Sequence, residues 1–467
     1  MAADTVVKPA PRPRGPNIFD ESKPLWRYFL VFLVPLMLSN ILQSASSTLN
    51  SIFVGRLIGV NGLAAISAFF PLLFFLISFL IGLSSGASIL IGQAFGAGDQ
   101  HRMKQITGTV LSMGLMLGAA STLAGLLMAD KILLLLGTPS NIFGDSLAYA
   151  RVILIFSPVL FVYLICTTVL RGTGDSQTPF FSLIVATVLS ITLTPAFILG
   201  WLGLPRLGVV SAAAAIVIAN FVAFVGMLIY LRLRRHPLAL DREILTDLRF
   251  HAGIARRVVQ IGIPTALQVV MLSLAEVAVL SFVNRFGSHA TAAYGAVNQV
   301  VSYVQFPAIS IGITSSIFGA QCIGAKRNDK LQGVVHCGIA LNYIIGALLV
   351  CVCYVFAWNI LGWFIIDPST LHIAHTLLMI TLWSYLIFGN SAVLSGVMRA
   401  SGSVLWPTAI SIFGIWGVEV PTAFFLMHRI GLDGIWIGYP VAFCVTLALQ
   451  SAYYFFVWKN VTHERLV

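Results

Sequence analysis

"VLRGTGDSQTP", residues 169–179, returns as "VMRASGSVLWP", residues 397–407, and this recurrence decides how the chain is built. It sets Arg171 over Arg399, Gly174 over Gly402 and Pro179 over Pro407 at an offset of 228. The same offset lays "QAFGAG" (93–98) on "QCIGAK" (321–326), with Gln93 over Gln321 and Gly96 over Gly324. Near the start of each half, "FVGR" (53–56) and "FVNR" (282–285) align at 229, as do Pro35 and Pro264. Self-similarity at a fixed spacing marks a repeated architectural unit, so the chain is a duplication.

The composition says what is repeated. Of 467 residues, 58% are hydrophobic and only 9% charged, whereas soluble chains carry about a quarter charged residues. Apolar stretches long enough to cross a hydrocarbon layer of ~30 Å as helices recur throughout. Parsing at loop signals gives about twelve spans, beginning near residues 26, 63, 106, 147, 179, 209, 259, 290, 333, 373, 405 and 434. The fold expected is an all-α integral membrane protein with two six-helix bundles. An even number of spans per half gives both halves one orientation. The pseudo-two-fold axis then runs along the membrane normal, with the solute path between the bundles. The expected organisation is a disordered cytoplasmic tail (1–25), a first bundle (26–231), a basic cytoplasmic linker (232–258), a second bundle (259–458) and a short cytoplasmic tail (459–467).

Charge tests the parse. With the N-terminus inside, inner segments hold 21 Lys and Arg and outer segments six, together all 27. That asymmetry follows the positive-inside rule and makes both termini cytoplasmic, in a plasma membrane, the bacterial inner membrane in this reading. The net charge of +11 is accounted for by topology and anionic lipid, and gives little support for nucleic-acid binding. The six cysteines lie mostly in apolar stretches without CxxC spacing or His partners, so neither a disulfide framework nor a metal site is indicated.

"NSIFVGRLIG", "LIGQAFGAGD", "VLRGTGDSQTP" and their second-half counterparts resemble the multidrug and toxic compound extrusion (MATE) transporters, over roughly residues 25–460. The resemblance implies two six-helix bundles around a V-shaped cavity, and efflux of organic, often cationic, compounds driven by inward Na⁺ or H⁺.

Fourteen of the sixteen Asp and Glu fall in tails, loops or span ends, leaving Glu276 and Glu419 inside spans. Glu276 precedes Arg285 by nine residues and Glu419 precedes Arg429 by ten, so each lies about 14 Å from the outer end of its helix at 1.5 Å per residue. An acid at that depth is costly, and usually faces a cavity or an ion path. The plainer alternative is a carboxylate neutralised by burial and bonded to a neighbouring helix. The resemblance places Glu276 where many MATE proteins carry a cation-coupling glutamate in the seventh span. A proton and an organic cation would compete for such a group, and alternation between sides turns competition into exchange.

The chain also departs from its relatives. Asn50 stands where many members have an Asp in the first span. Ser190 and Thr194 stand where another branch has Asn and Asp, and the usual acid of the tenth span is missing. Acid-based coupling must therefore rest on the second bundle. Glu419 lies near the repeat equivalent of Thr194, which suggests a role moved across the pseudo-symmetry axis.

Two polar stripes share one spacing. Ser39, Gln43, Ser47 and Asn50 mark the first span, and Tyr294, Asn298, Ser302 and Gln305 the eighth. Helical periodicity puts each set on one face. Such faces line a wet cavity or a hydrogen-bonded helix interface, and in the eighth span Tyr adds a cation–π surface. Thr194 joins Gln43, Ser47, Asn50 and the eighth-span set as expected substrate contacts. Gly82 with Gly86, Gly92 with Gly96, and Gly114 with Gly118 form GxxxG pairs that favour close helix packing.

An enzyme is disfavoured, because HExxH, Asp-rich metal motifs and GxxxxGK[ST] are all lacking. A channel would need a filter loop that the sequence does not contain. A flippase of lipid-linked or polar metabolites is the alternative within the same architecture, but its cavity would call for cationic residues where this interior has acids. The expectation is a monomeric secondary antiporter in contact with membrane lipid. It needs no cofactor beyond the coupling ion, H⁺ or Na⁺, and exports small organic cationic or amphipathic substrates by rocking between two states.

Overall fold

The computed structural model describes Phe19, residues 24–234, His236, Leu238, Ala239 and residues 250–466, the side chain of Leu202 apart. Most of the tail expected over 1–25, and residues 240–249 of the linker, lie outside these. Among the described residues every regular element is helical. Ten helices are long and apolar enough to cross a membrane, and two bent pairs raise the number to twelve.

In chain order the spans are α1 (Leu25–Leu57), α2 (Val60–Gly96), α3 (Gln100–Leu135), α4 (Ser140–Ile155 with Ser157–Gly172), α5 (Gln177–Leu199) and α6 (Val210–Leu233). The second half follows with α7 (Ala252–Asn284), α8 (Ser288–Gly324), α9 (Leu331–Val355), α10 (Pro368–Thr381 with Ser384–Ala400), α11 (Leu405–Ile430) and α12 (Leu432–Phe456). The duplication reaches the backbone. Spans α1 and α7 each run 33 residues, α2 and α8 each 37. Positive φ recurs at offset 228 in Gly59 and Gly287, Gly98 and Lys326, Gly174 and Gly402, and Gly203 and Gly431. Lys326 is the informative member. An L side chain at φ 57° is disfavoured, and the turn after α8 keeps the geometry that glycine makes easy after α2.

Spans α4 and α10 bend by 53° and 44°. The first break falls just before Pro158, a residue that cannot continue the hydrogen-bond ladder. The second has no proline. There the Tyr354 hydroxyl accepts from the Trp383 N–H (3.2 Å) and donates to the Met379 carbonyl (3.2 Å), inserting itself into one i→i−4 bond.

The buried apolar core divides in three. One cluster takes residues from both halves, including Phe29, Phe32, Leu90 and Ala94 of the first and Val258, Phe318, Ala320 and Val397 of the second. It lies at the end of the bundles where α1 begins and α12 finishes, called here the terminal end. The other two clusters lie toward the far end and belong to one bundle each, around Phe69 and Tyr149, and around Tyr294 and Trp436. The halves are therefore sealed at the terminal end and separate at the far end.

Small residues make the seal. A Cβ on Gly82 or Gly86 of α2 would strike the α7 backbone at Gly262 or Val258, and one on Gly96 would strike Gln321 of α8. Two of the three GxxxG pairs thus serve the seam between halves, while Gly114 and Gly118 pack α3 on α4 against Ile165 and Pro158. In lipid, where helix association gains little from hydrophobicity, such close approach supplies the contact energy.

Candidate functional site

Between the far ends lies an open cleft of ≈ 620 Å³, with Thr48 of α1 on one side and Gly295, Gln299 and Tyr303 of α8 on the other. Its rim carries Asp367 and Thr370 at the start of α10. Asp367 caps that helix, accepting from the Thr370 N–H (2.8 Å) and the Ser369 hydroxyl (2.5 Å). These donors, with His289 Nδ1 3.3 Å away, hold its carboxyl well below the usual carboxylate range.

Both intramembrane acids belong to the second bundle and act on each other electrostatically, although they come from α7 and α11. Glu419 is buried (4% exposed) and Glu276 exposed. Glu276 is also in electrostatic reach of Tyr294 and Tyr385, two buried residues of the second bundle. Among the described residues neither carboxylate has a hydrogen-bond or ion-pair partner, and no basic group acts on either.

Three buried or half-buried tyrosines lie in electrostatic reach of Glu419. The Tyr294 and Tyr439 hydroxyls bond at 2.9 Å, Asn298 also reaches the Tyr294 hydroxyl, and the Tyr294 ring stacks on Trp436 at 5.8 Å. Tyr385 packs edge-on against Phe443 at 5.3 Å and lies in reach of both acids. The local backbone is unusual where Glu419 sits. Residues Phe413–Glu419 form a π-helical segment ending two residues before Pro421, which has no N–H to continue the ladder. Wide turns of this kind are rare and cluster at functional sites.

The corresponding level of the first bundle is neutral. Asn50 donates to the Ser190 hydroxyl (3.1 Å), and the Thr194 hydroxyl donates to Asn50 Oδ1 (2.8 Å). Ser190 and Thr194 are buried. The three residues satisfy one another.

The remaining residues of the stripes are more scattered. Gln43 and Ser47 are exposed on α1 and Ser39 is buried, donating back to Pro35 O at 2.8 Å. On α8, Asn298 is exposed, Ser302 and Gln305 are half-buried, and Ser302 donates to Asn298 O at 2.8 Å. The α8 residues that line the cleft stand about one position round the helix from this stripe, and Tyr294 turns into the bundle. Tyr385, Trp436, Tyr439 and the cleft residue Tyr303 escaped the sequence reading. Their signal was a polar tip on an aromatic body within apolar spans. Arg399, near the end of α10, is half-buried and donates to Gln268 Oε1 of α7 at 2.5 Å.

The family model MatE matches the chain twice, over residues 35–196 and 264–425, two equal stretches that fall one in each half. The chain belongs to the MATE family. This MATE-family chain is 51% identical to the probable multidrug resistance protein YoeA of Bacillus subtilis (strain 168) over 450 residues, 96% of this chain and 97% of that one. The multidrug export protein MepA of Staphylococcus aureus (strain bovine RF122 / ET3-1) is 23% identical over 93% of this chain and 94% of its own. Among solved structures, an outward-facing multidrug resistance MATE family transporter of the MOP superfamily superposes with a TM-score of 0.84 at 22% identity, covering 92% of this chain and 95% of that one. The Vibrio cholerae MATE transporter VcmN in the bent form gives a TM-score of 0.82 at 22% identity, over 92% of this chain and 96% of that one. These likenesses establish the fold with its two repeated halves.

Proposed function

We propose that the protein is a multidrug efflux antiporter that exports organic cationic or amphipathic compounds in exchange for inward H⁺ or Na⁺. The observation that carries this reading is the pair Glu276 and Glu419, one exposed and one buried, within electrostatic reach of each other and of Tyr294 and Tyr385, and without a hydrogen-bond or ion-pair partner among the described residues. Two uncompensated carboxylates in electrostatic reach of each other, one of them buried, are unfavourable as a pair of anions. A proton, an Na⁺ ion or an organic cation relieves that repulsion, and the three compete. Tyr294, Tyr385 and Tyr439 offer ring faces and hydroxyls suited to a cation, and Gln43, Ser47, Asn298, Ser302 and Gln305 would contact substrate nearer the cleft.

The excess of Lys and Arg in the segments at the terminal end supports a cytoplasmic placement of that end. The seam is then closed inside and the cleft open outside, which is one of the two states that alternating access requires. The names of the relatives, multidrug resistance and multidrug export, support the substrate class. The protein works as a monomer in the plasma membrane in this reading.

Efflux from proteoliposomes under separately imposed proton and sodium gradients tests the proposal. One gradient should drive uphill movement of an organic cation, and the other should not. Transport that is indifferent to both gradients would refute antiport, and movement of a lipid-linked anion instead would favour a flippase.

A further inference from the structure

The seam at the terminal end is held by a reciprocal pair. Gln93 Nε2 of α2 donates to the carbonyl of Ala400 at the end of α10 (2.8 Å), and Gln321 Nε2 of α8 donates to the carbonyl of Gly172 at the end of α4 (3.3 Å). Both glutamines are fully buried, and each reaches into the opposite half. Donors and acceptors are repeat equivalents, since Gln93 and Gln321 stand 228 apart, as do Gly172 and Ala400.

The acceptor ends of the two glutamines differ. Gln93 Oε1 accepts from the backbone N–H of Leu466 (2.7 Å), whereas Gln321 Oε1 is buried without a partner. The chain beyond α12 thus returns beneath the seam. Trp458 is buried and donates from Nε1 to Ser401 Oγ (2.9 Å), His463 stacks on the Trp458 ring at 4.0 Å, and the Leu466 side chain sits against Gly402 and joins the core shared by both halves. Gly402 has φ +85° and no side chain, which leaves room for that leucine.

The repeat supplies a second observation. Leu466 less the offset of 228 is Leu238, in the segment that leaves the first bundle. Leu238 and Ala239 are buried in the same shared core, and His236 lies in electrostatic reach of Asp175, next to Gly174, the counterpart of Gly402. Each half therefore ends in a segment that folds back on its own short inner loop and adds a leucine to the seam. Among the described residues, only the C-terminal one donates a hydrogen bond to a seam glutamine of the other half.

We propose that residues 458–466 are a latch that holds the terminal end closed, and that the latch must release before this end opens. Separating α2 from α10 breaks Gln93 from both Ala400 and Leu466, so the tail cannot keep both attachments in the alternate state. Its removal shifts the equilibrium toward the state open at the terminal end. One hydrogen bond and one half-buried leucine make that shift about tenfold, or about 1.4 kcal/mol.

The test is a distance distribution by pulsed electron spin resonance in proteoliposomes. Spin labels go on Gln100→Cys and Asn328→Cys, exposed repeat-equivalent positions on opposite sides of the seam, with the six native cysteines replaced. Deletion of 461–467 and, separately, Leu466→Glu should each raise the long-distance population about tenfold relative to the same labelled chain with its tail intact, while Leu466→Met should not. Unchanged populations in the deletion and in Leu466→Glu overturn the latch. The inference rests on alternating access, and the two fail differently. A tail-intact chain that shows one distance under every gradient removes alternating access, whereas two distances that ignore the tail remove the latch alone.

Discussion

In the first bundle, Asn50, Ser190 and Thr194 close a neutral hydrogen-bonded triad. In the second, Glu276 and Glu419 stand unpartnered among tyrosines. The scaffolds are repeats of each other, so the difference lies in the side chains and in one turn of α11. A satisfied polar network gains little from any ligand, because its groups have already replaced water with one another. An unsatisfied pair of acids carries a standing demand for positive charge. In the proposed mechanism, duplication leaves one bundle to be stable and the other to be responsive.

The largest effect should come from Glu276→Gln, which removes a charge while keeping shape. Gradient-driven efflux from proteoliposomes is expected to fall to background with the protein still eluting as a folded species, and wild-type export by this variant would end the assignment. Glu419→Gln should lower efflux about tenfold, the effect of a 1.4 kcal/mol step. An identical rate would leave Glu276 to act alone.

Tyr439→Phe deletes one hydroxyl of the 2.9 Å pair with Tyr294. Loss of that bond, about 1 kcal/mol, predicts a several-fold weaker apparent substrate affinity with coupling retained, measured by substrate titration of transport. Asn50→Ala sharpens the contrast from the other side. It should destabilise the protein by about 1 kcal/mol in chemical unfolding, since the Ser190 hydroxyl loses its donor while Thr194 keeps its bond to the Ser190 carbonyl, and the number of coupling ions per substrate stays the same. A changed ratio would mean that the first bundle takes part.

The smallest effect concerns Asp367. Its carboxyl is held low by Ser369, Thr370 and His289, so the stabilisation is complete above the unfolded value of about 3.9 and is lost as pH falls through the lower folded value. Amide exchange at the start of α10 should therefore stay slow at neutral pH and quicken only in strong acid. Asp367→Ala, which removes the acceptor, should show quicker exchange at neutral pH, and exchange as slow as in the unaltered protein would count against the cap.

Much of this was legible in the chain itself. The offset of 228 and the apolar runs gave twelve spans in two halves, because duplication and hydropathy are properties of long segments that no single contact can overturn. The two acids were equally plain, since ionised groups are rare in such spans. The surroundings of those acids were hidden. The tyrosines come from α8, α10 and α12, and nothing local in sequence says that separate helices converge. The polar stripe of α8 was read as one face, yet Tyr294 enters the bundle while Gly295, Gln299 and Tyr303 meet the cleft. A helix in lipid has more than one polar-tolerant side, so periodicity alone cannot choose between them. The bend of α10 was invisible for a related reason: its cause is a hydroxyl borrowed from α9, not a proline.

The wide turn at Phe413–Glu419 carries one more lesson. Each residue inserted into a helix rotates everything beyond it by about 100° about the axis, without lengthening any loop. The direction in which Glu419 points is thus set as much by the count of residues before it as by its own chemistry. Trimming a single position such as Gly417 would swing an unaltered glutamate away from its partner on α7, so an ancestor could have gained or lost this acid pair by insertion or deletion alone.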